Sequence, residues 1–554
     1  MTMATPERPK TAIREGLMVA LVAALLLIVF QVSPGLEDTG AGTHLVTRSR
    51  SLPPGDSSYH IRMAWLYRTG EISRAGSDFH WMRETIWNGR FADKDFLYHL
   101  FLVPFTLGAR DVTDTTPLIW GAKASVVVVG VLLALTLFGV LRGFGVRHAW
   151  LYVALTLFFG SYGFLFRLNE VRNWPLSVAL ALGGWLLMAR ERRLPLALLA
   201  LVYTLSYTAS HFLLMLWFVR TVGGLIVGAD DEKPRLAWLK SDLRSLGAIL
   251  AGLALGVALH PGHFDLLYTW WVQTVLVPLA VQSPSTFSPL EGTSPGMIFG
   301  LEMLPSTGQA IVRTLWPSLA APLALTLTAA RMRVRPSRET VLVGGAALMA
   351  LALAMSSSRF IEYLGPFMAL AVGMFATGIM TSRPWKVRAK AAPRAFKLAP
   401  ATLVAVLLAL TAWQNFEVVR DLSVIRPRIS REIGQWLNAA PQTQGKVFFN
   451  PRWDQFGDLF FYAPRQDYIL GLDPLYLHAH SERKSVLYWD IALGRWQQDP
   501  IQTIRDDFKA DYIIAYQAQP YALYDYLAEQ EKRGRVKLVY ASDDQFARIY
   551  ESVG

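Results

Sequence analysis

Long apolar runs recur along most of this 554-residue chain, and nothing else in it restricts the possible folds so severely. A helix needs about 17–25 mainly apolar residues to cross a bilayer core, and only helices or closed barrels satisfy their backbone hydrogen bonds there. Runs of this kind lie at 17–33, 117–141, 148–166, 172–188, 194–207, 212–227, 246–259, 311–330, 340–355, 360–380 and 398–413. The pattern predicts a polytopic α-helical membrane protein with about eleven spans. Composition agrees: 17% of residues are charged, against about 25% in an average soluble domain. The 194–227 stretch reads either as two short spans meeting at Ser210-His211 or as one long tilted helix.

Charge chooses between these. With two spans there, every basic cluster falls on one side: Arg8, Lys10 and Arg14; Arg142 and Arg147; Arg190, Arg192 and Arg193; Lys233 to Arg244; Arg331 to Arg338; Arg383 to Lys397. Positive loops mark the cytoplasmic side, which puts the N-terminus inside and the C-terminal tail outside. The net charge of +12 is then a topology signal that suits anionic lipid headgroups, and it calls for no nucleic-acid partner. The N-terminus looks like a signal peptide but lacks a small-x-small cleavage site, so it reads as a retained first helix. Cysteine is absent, which excludes a disulfide framework and a thiolate metal site.

Outside the membrane this topology leaves three substantial segments. The first, 34–116, is too long for a plain connector. Within it Tyr59 to Tyr67 reads as a short amphipathic helix closed by Gly70, and Phe96 to Pro104 as a helix too short to span, lying in the interface. The second, 262–310, carries Tyr268-Thr269-Trp270-Trp271, then a Ser/Pro/Gly-rich stretch at 283–296 that could form a lid. The third is a tail of ordinary composition, 417–554, following a membrane module at 1–416. In the tail, strand-like runs at 446–449, 459–462, 468–470, 512–516, 537–540 and 547–550 alternate with helical patterns at 430–437, 478–493, 500–510 and 521–533, predicting an α/β domain.

Four short motifs carry a resemblance: Gly55-Asp56-Ser57-Ser58-Tyr59-His60 after helix one, Leu97-Tyr98-His99-Leu100, Arg167-Leu168-Asn169-Glu170-Val171-Arg172, and Arg359-Phe360-Ile361-Glu362-Tyr363-Leu364-Gly365-Pro366. In this order of parts the chain resembles the GT-C glycosyltransferases, among them oligosaccharyltransferase catalytic subunits, protein O-mannosyltransferases and bacterial lipid A aminoarabinose transferases. The resemblance implies an enzyme of the bacterial inner membrane that moves a sugar from a polyprenyl phosphate or pyrophosphate carrier to an extracytoplasmic glycan, lipid or protein acceptor, with inversion. It makes 1–416 the catalytic module. It implies Asp56 as general base or metal ligand and Glu170 as the second acid, the pair placed to share a divalent cation, Mg or Mn. The second Asp usual in such enzymes is replaced here by Asn169-Glu170.

Chemistry gives each candidate a role and a plainer alternative. A carboxylate takes the proton of an attacking hydroxyl, yet Asp56 could equally cap the helix after it. Glu170 lies between Arg167 and Arg172 and could be a salt-bridged structural acid. Arg359, with Arg172, could grip the donor phosphate through its planar fork, or snorkel from a helix end. His60, His99 and His211 are candidate acceptor or metal-binding groups beside structural readings. Asp93-Lys94-Asp95 has metal-site spacing with His99 one turn on, but reads better as a solvated loop. Trp453-Asp454 is similar to an acceptor-reading element of the oligosaccharyltransferases, and Trp453 reads better as core. Two other functions stay open: a transporter or lipid-linked sugar flippase, and a polysaccharide ligase or polymerase. Transport should leave ionisable residues at mid-helix, where only Lys123 and Arg220 stand out.

Overall fold

The structure, a computed structural model, describes residues 9–32, 34–38, 43–47, 52, 55–73, 78–227, 235–282, 300–308, 315–392, 428–518 and 521–552, with scattered positions between 402 and 413. Helix α1 (Pro9–Val32) leads into an antiparallel hairpin, β1 (Pro34–Asp38) and β2 (Thr43–Thr47), in which Pro34 faces Thr47. Two short helices follow, α2 (Ser57–Thr69) and α3 (Phe96–Leu102), the latter continued by a 3-10 turn at Val103–Thr106. The long helices are α4 (Thr115–Gly143), α5 (Ala149–Leu168), α6 (Trp174–Ala189), α7 (Arg193–Ser206), α8 (Phe212–Val227) and α9 (Arg235–Leu259). Then come α10 (His263–Trp271) and α11 (Val277–Gln282), joined by a π-helical turn, and α12 (Trp316–Met332), α13 (Arg338–Ser356), α14 (Ile361–Thr381) and α15 (Arg383–Ala391).

The C-terminal part runs α16 (Arg428–Ala439), β3 (Val447–Phe449), α17 (Phe456–Tyr462), β4 (Asp467–Tyr468), α18 (Leu475–His480), α19 (Glu482–Leu493), α20 (Pro500–Asp506), β5 (Tyr512–Tyr516), α21 (Leu523–Lys532), β6 (Val536–Ala541) and β7 (Ala547–Ser552). Its strands form one mixed sheet in the order β4-β3-β5-β7-β6. β3 runs parallel to β4 and β5, whereas β7 runs antiparallel to β5 and β6. The α/β expectation holds.

Seven helical stretches among the described residues are long and apolar enough to cross a membrane: Thr11–Val32, Thr115–Gly143, Thr208–Val227, Arg235–Leu259, His263–Gln282, Arg338–Ser356 and Ser358–Thr381. Together they make a multi-pass membrane protein. The expected runs at 172–188 and 194–207 are helices, of 16 and 14 residues. At 194–227 the two-helix reading is the right one: Tyr207 is extended (φ −164°, ψ 141°) and separates α7 from α8. The aromatic residues at 268–271, expected in the second segment outside the membrane, lie in a helical stretch of 20 residues that is long and apolar enough to cross it. In the tail, the expected strand at 459–462 is helical. Phe456, Leu459 and Phe460 repeat at helical spacing, and so short an apolar run has no clear period of its own. The 478–493 pattern breaks in two at Ser481, whose hydroxyl caps α19 by accepting from the Lys484 amide. The proposed lid at 283–296 lies outside the described residues, and so does nearly all of the 398–413 run.

Chain contacts divide the described residues into two units. One draws on Met1–Thr47, Ser125–Ala258 and Glu302–Val424; the other on Arg48–Ala124, Leu259–Leu301 and Ile425–Gly554. In the first unit α14 is the hub, packing on α5, α6, α12 and α13. Its apolar window is 67% buried, against 22% for α1, which fits a helix hydrophobic on every side. Small residues allow close approach where lipid supplies no hydrophobic drive. A Cβ on Gly252 of α9 would lie 2.2 Å from the Ala197 carbonyl oxygen, and one on Gly256 would lie 2.5 Å from Thr204 Cβ, both on α7. In the second unit α2 packs on α3 and α17, so the first-loop motif rests on the C-terminal domain.

Candidate functional site

In the second unit the site begins at a turn. Gly55 takes a positive φ of 68°, a conformation glycine adopts freely, and the chain then enters α2. Asp56 occupies the N-cap position (φ −73°, ψ 13°), but its side chain makes no capping hydrogen bond. Helix α2 closes at Gly70 in the left-handed region (φ 77°), as expected. Fully buried Arg62 clamps it to α17, donating from Nε to the Phe461 carbonyl at 2.9 Å. Its guanidinium also lies 4.9 Å from the Trp65 ring centre and 5.0 Å from that of Phe461.

One turn after Asp56, His60 faces α3. His60 Nδ1 and His99 Nε2 are hydrogen-bonded at 2.8 Å, and His99 Nδ1 donates to Asp93 Oδ2 at 2.6 Å. Asp93 also accepts from the Tyr67 hydroxyl at 2.9 Å and from the Asp95 amide at 3.0 Å. Its backbone carbonyl accepts from His260 Nε2 at 2.9 Å, whose Nδ1 in turn accepts from the Gly262 amide. Asp93, Asp95, His60 and His99 are all buried, so the solvated-loop reading of Asp93-Lys94-Asp95 is wrong. Packing against α2 and the 260–262 turn removes that loop from water. Burial alone would raise the Asp93 carboxyl, but the charge and hydrogen bond of His99, with the Asp95 amide and the Tyr67 hydroxyl, hold it below the usual range.

His60, Asp95 and His99 place one ligand atom each within 4.8 Å of one another, and they are the one such group among the described residues that could hold a metal ion. It contains neither Asp56 nor Glu170. Two imidazoles and a carboxylate suit zinc, manganese or iron better than magnesium, which prefers oxygen ligands. Asp93 on the far nitrogen of His99 is the kind of partner that orients a metal-binding histidine. The residues present therefore fit a divalent cation.

In the first unit three arginines meet three acids. Arg172 Nε pairs with Glu170 Oε2 at 3.2 Å, and its Nη1 reaches both oxygens of Glu302, at 3.1 and 3.2 Å. Arg167 pairs with Glu302 as well, and its Nε donates to Glu362 at 2.5 Å. Burial would raise the Glu302 carboxyl, but Arg167, Arg172 and Arg359 hold it well below the ordinary range. Glu302 and Glu362 were not singled out from the sequence; charge spacing carries no signal for partners some 130 residues apart. Arg359 donates to the Tyr207 hydroxyl at 2.9 Å and lies 3.7 Å from Met303 Sδ, so it is held in place and does not snorkel. His211 lies against the Thr208 carbonyl at 3.1 Å, closing the α7–α8 turn. Asn169 accepts from Gln31 at 3.0 Å and ties α1 to the end of α5. Arg220, an expected mid-helix charge, pairs with both oxygens of Glu339 at 2.8 and 2.9 Å.

No family model matches the chain, and no curated protein matches it in sequence. Solved structures do. The Archaeoglobus fulgidus oligosaccharyltransferase AglB, in complex with an inhibitory peptide and a dolichol-phosphate, aligns over 97% of this chain and 74% of its own, with 12% identity and a TM-score of 0.59. The same organism's oligosaccharyltransferase tethered to an acceptor peptide with the NVT sequon covers 90% and 69%, with a TM-score of 0.58. ArnT from Cupriavidus metallidurans in the apo state covers 97% of both chains, with 13% identity and a TM-score of 0.51. The chain shares the fold of these solved structures. On that fold, the loop bearing Asp56 and the segment bearing Glu170 and Arg172 are two of the four stretches that suggested the resemblance.

Proposed function

We propose that this chain is a GT-C glycosyltransferase of the bacterial inner membrane. It moves a sugar from a polyprenyl phosphate or pyrophosphate carrier to an extracytoplasmic acceptor, with inversion, and the 417–554 domain lies outside. The observation that carries this reading is the fold, shared with ArnT over 97% of this chain, with Asp56 in the first long loop at the head of the buried helix α2. Asp56 takes the proton of the acceptor hydroxyl as its oxygen attacks the anomeric carbon. The sugar's bond to the carrier phosphate breaks, and the electron pair leaves with the phosphate. That leaving group departs as an anion and needs little acid catalysis, so cations suffice. Arg172 and Arg359 supply them, with Glu170 and Tyr207 holding the two guanidinium groups. His60, Asp95 and His99 would hold the divalent cation, which supplies fixed positive charge when bound.

The test uses the full-length protein in lipid nanodiscs with a panel of polyprenyl-phosphate-linked hexoses and pentoses, measuring released or transferred sugar. Wild-type turnover should fall at least about 100-fold in Asp56→Asn, whose melting temperature stays near that of wild type. Absence of turnover on every donor, or full activity in Asp56→Asn, overturns the reading. The paired state of Arg220 also supports an enzyme over a transporter, because its charge is spent within the bundle.

A further inference from the structure

Arg167, near the end of α5, and Arg172, just beyond it, share the carboxylate of Glu302, and each also has an acid of its own. Arg167 donates from Nε to Glu362 at 2.5 Å, and Arg172 Nε pairs with Glu170 at 3.2 Å. Those two acids are sealed in, their side chains 1% and 4% exposed, whereas that of Glu302 is 31% exposed. Of the three acids, Glu302 is therefore the one open to exchange. Its oxygens are spread across the pair: Arg172 Nη1 lies 3.1 Å from Oε1 and 3.2 Å from Oε2, and Oε2 also meets Arg167 Nη1. Two guanidinium forks converging on two oxygens of one anion is the geometry by which arginine holds a phosphate.

Glu302 lies in the 3-10 turn Leu301–Met303, and that turn is fastened beside Arg359. The Glu302 carbonyl accepts from the hydroxyls of Ser357 and Ser358 at 3.3 and 3.0 Å, and the Ser358 amide donates to the Leu304 carbonyl at 3.1 Å. Arg359 Nη1, in turn, lies 3.7 Å from Met303 Sδ. Adjacent residues of one turn thus meet all three arginines. We infer that Arg167 joins Arg172 and Arg359 in binding the carrier phosphate, and that Glu302 holds the place of that phosphate until the carrier arrives. This rests on the function proposed above and adds to it a further phosphate ligand and a means of release.

Charge sets the direction of each exchange. A sugar-bearing monophosphate carrier is a diester with a single negative charge; loss of the sugar leaves a monoester of about −1.5 to −2 at pH 7. A pyrophosphate carrier gains charge in the same way. Without a competitor the spent carrier would hold the arginines more tightly than the donor does. Glu302 stays ionised, because the arginines keep its carboxyl well below the ordinary range, and its return helps to displace the spent carrier. Removing its charge strands no cation, since Arg167 keeps Glu362 and Arg172 keeps Glu170. Glu302 acts through the arginines and is a positioning residue.

The experiment uses the full-length protein in phosphatidylcholine nanodiscs, with empty nanodiscs as blank, titrated calorimetrically with farnesyl phosphate, farnesol and inorganic phosphate. Glu302→Gln should bind farnesyl phosphate at least about tenfold more tightly than wild type, and farnesol should bind neither. Arg167→Lys keeps a charge for Glu362 but loses the fork, and should weaken farnesyl phosphate binding about tenfold. Ser358→Ala frees the Glu302 carbonyl without altering charge, guards against a folding defect in the first variant, and should tighten binding about threefold. With the donor panel described above, Glu302→Gln should lower the KM for donor and also kcat, because the spent carrier leaves slowly. Unchanged or weaker farnesyl phosphate binding in both Glu302→Gln and Ser358→Ala, or full binding in Arg167→Lys, overturns the inference. Equal affinity for inorganic phosphate and farnesyl phosphate marks a site for the free anion and overturns the assignment to the carrier. Release of sugar from no donor, with the tighter binding in Glu302→Gln intact, overturns the proposed function and leaves the exchange at the arginines standing.

Discussion

Asp458 makes a prediction about stability that is independent of turnover. Its folded-state pKa of about 6 exceeds the ordinary value of about 4, so the unfolded chain loses this proton first. Stability therefore falls as pH rises between about 4 and 6, and above that window the protein carries the full burden of the charge. Asp458→Asn removes it. The variant should melt higher than wild type at pH 7, with the advantage shrinking toward pH 4, by differential scanning fluorimetry in detergent. The His60–Asp95–His99 group makes a second prediction at this scale. Elemental analysis of the purified protein should find about one zinc or manganese per chain, and His99→Ala should lose it. Metal-free wild-type protein with unaltered His99→Ala behaviour would remove the cation from the site.

Among the elements, the α7–α9 contact depends most visibly on single atoms. Gly252 and Gly256 stand four residues apart on one face of α9, and each meets α7 more closely than a methyl group allows. Gly252→Leu must push the helices apart, since the obstacle is the Ala197 carbonyl and backbone cannot rotate away. The expected cost is about 1–3 kcal/mol, read as a lower melting temperature, while Gly247→Ala on the same helix, with open space around it, should change little. Element boundaries were legible where a run was long and had one period: α8 was expected at 212–227 and is found there. They were illegible where a run was short. The 459–462 segment fits a buried strand or a helical turn equally well, and its place between α2 and α16 settles it as α17.

At the scale of the molecule, the absence of cysteine makes topology directly measurable. Single cysteines introduced at Gly145, between α4 and α5, and at Asp544, in the C-terminal domain, should label from opposite faces of the membrane with an impermeant maleimide. Gly145 should react only after the cytoplasmic face is exposed. Labelling of both from one side would invert or break the positive-inside assignment.

What the chain could reveal unaided was its class: a bilayer imposes its length and polarity on each helix separately, so local apolar runs and flanking charge suffice to find most of them. It also offered Asp56, Glu170, Arg172 and Arg359 as candidates, through short motifs that resemble a known family. Only tertiary structure decided which of these groups lose water and whom they meet. His60 and His99 are hydrogen-bonded across 39 residues of chain, Glu302 joins Arg172 across 130, and Asp458 meets Ser58 some 400 residues earlier. Desolvation and hydrogen bonding act over a few ångströms in space, and sequence distance carries no measure of that.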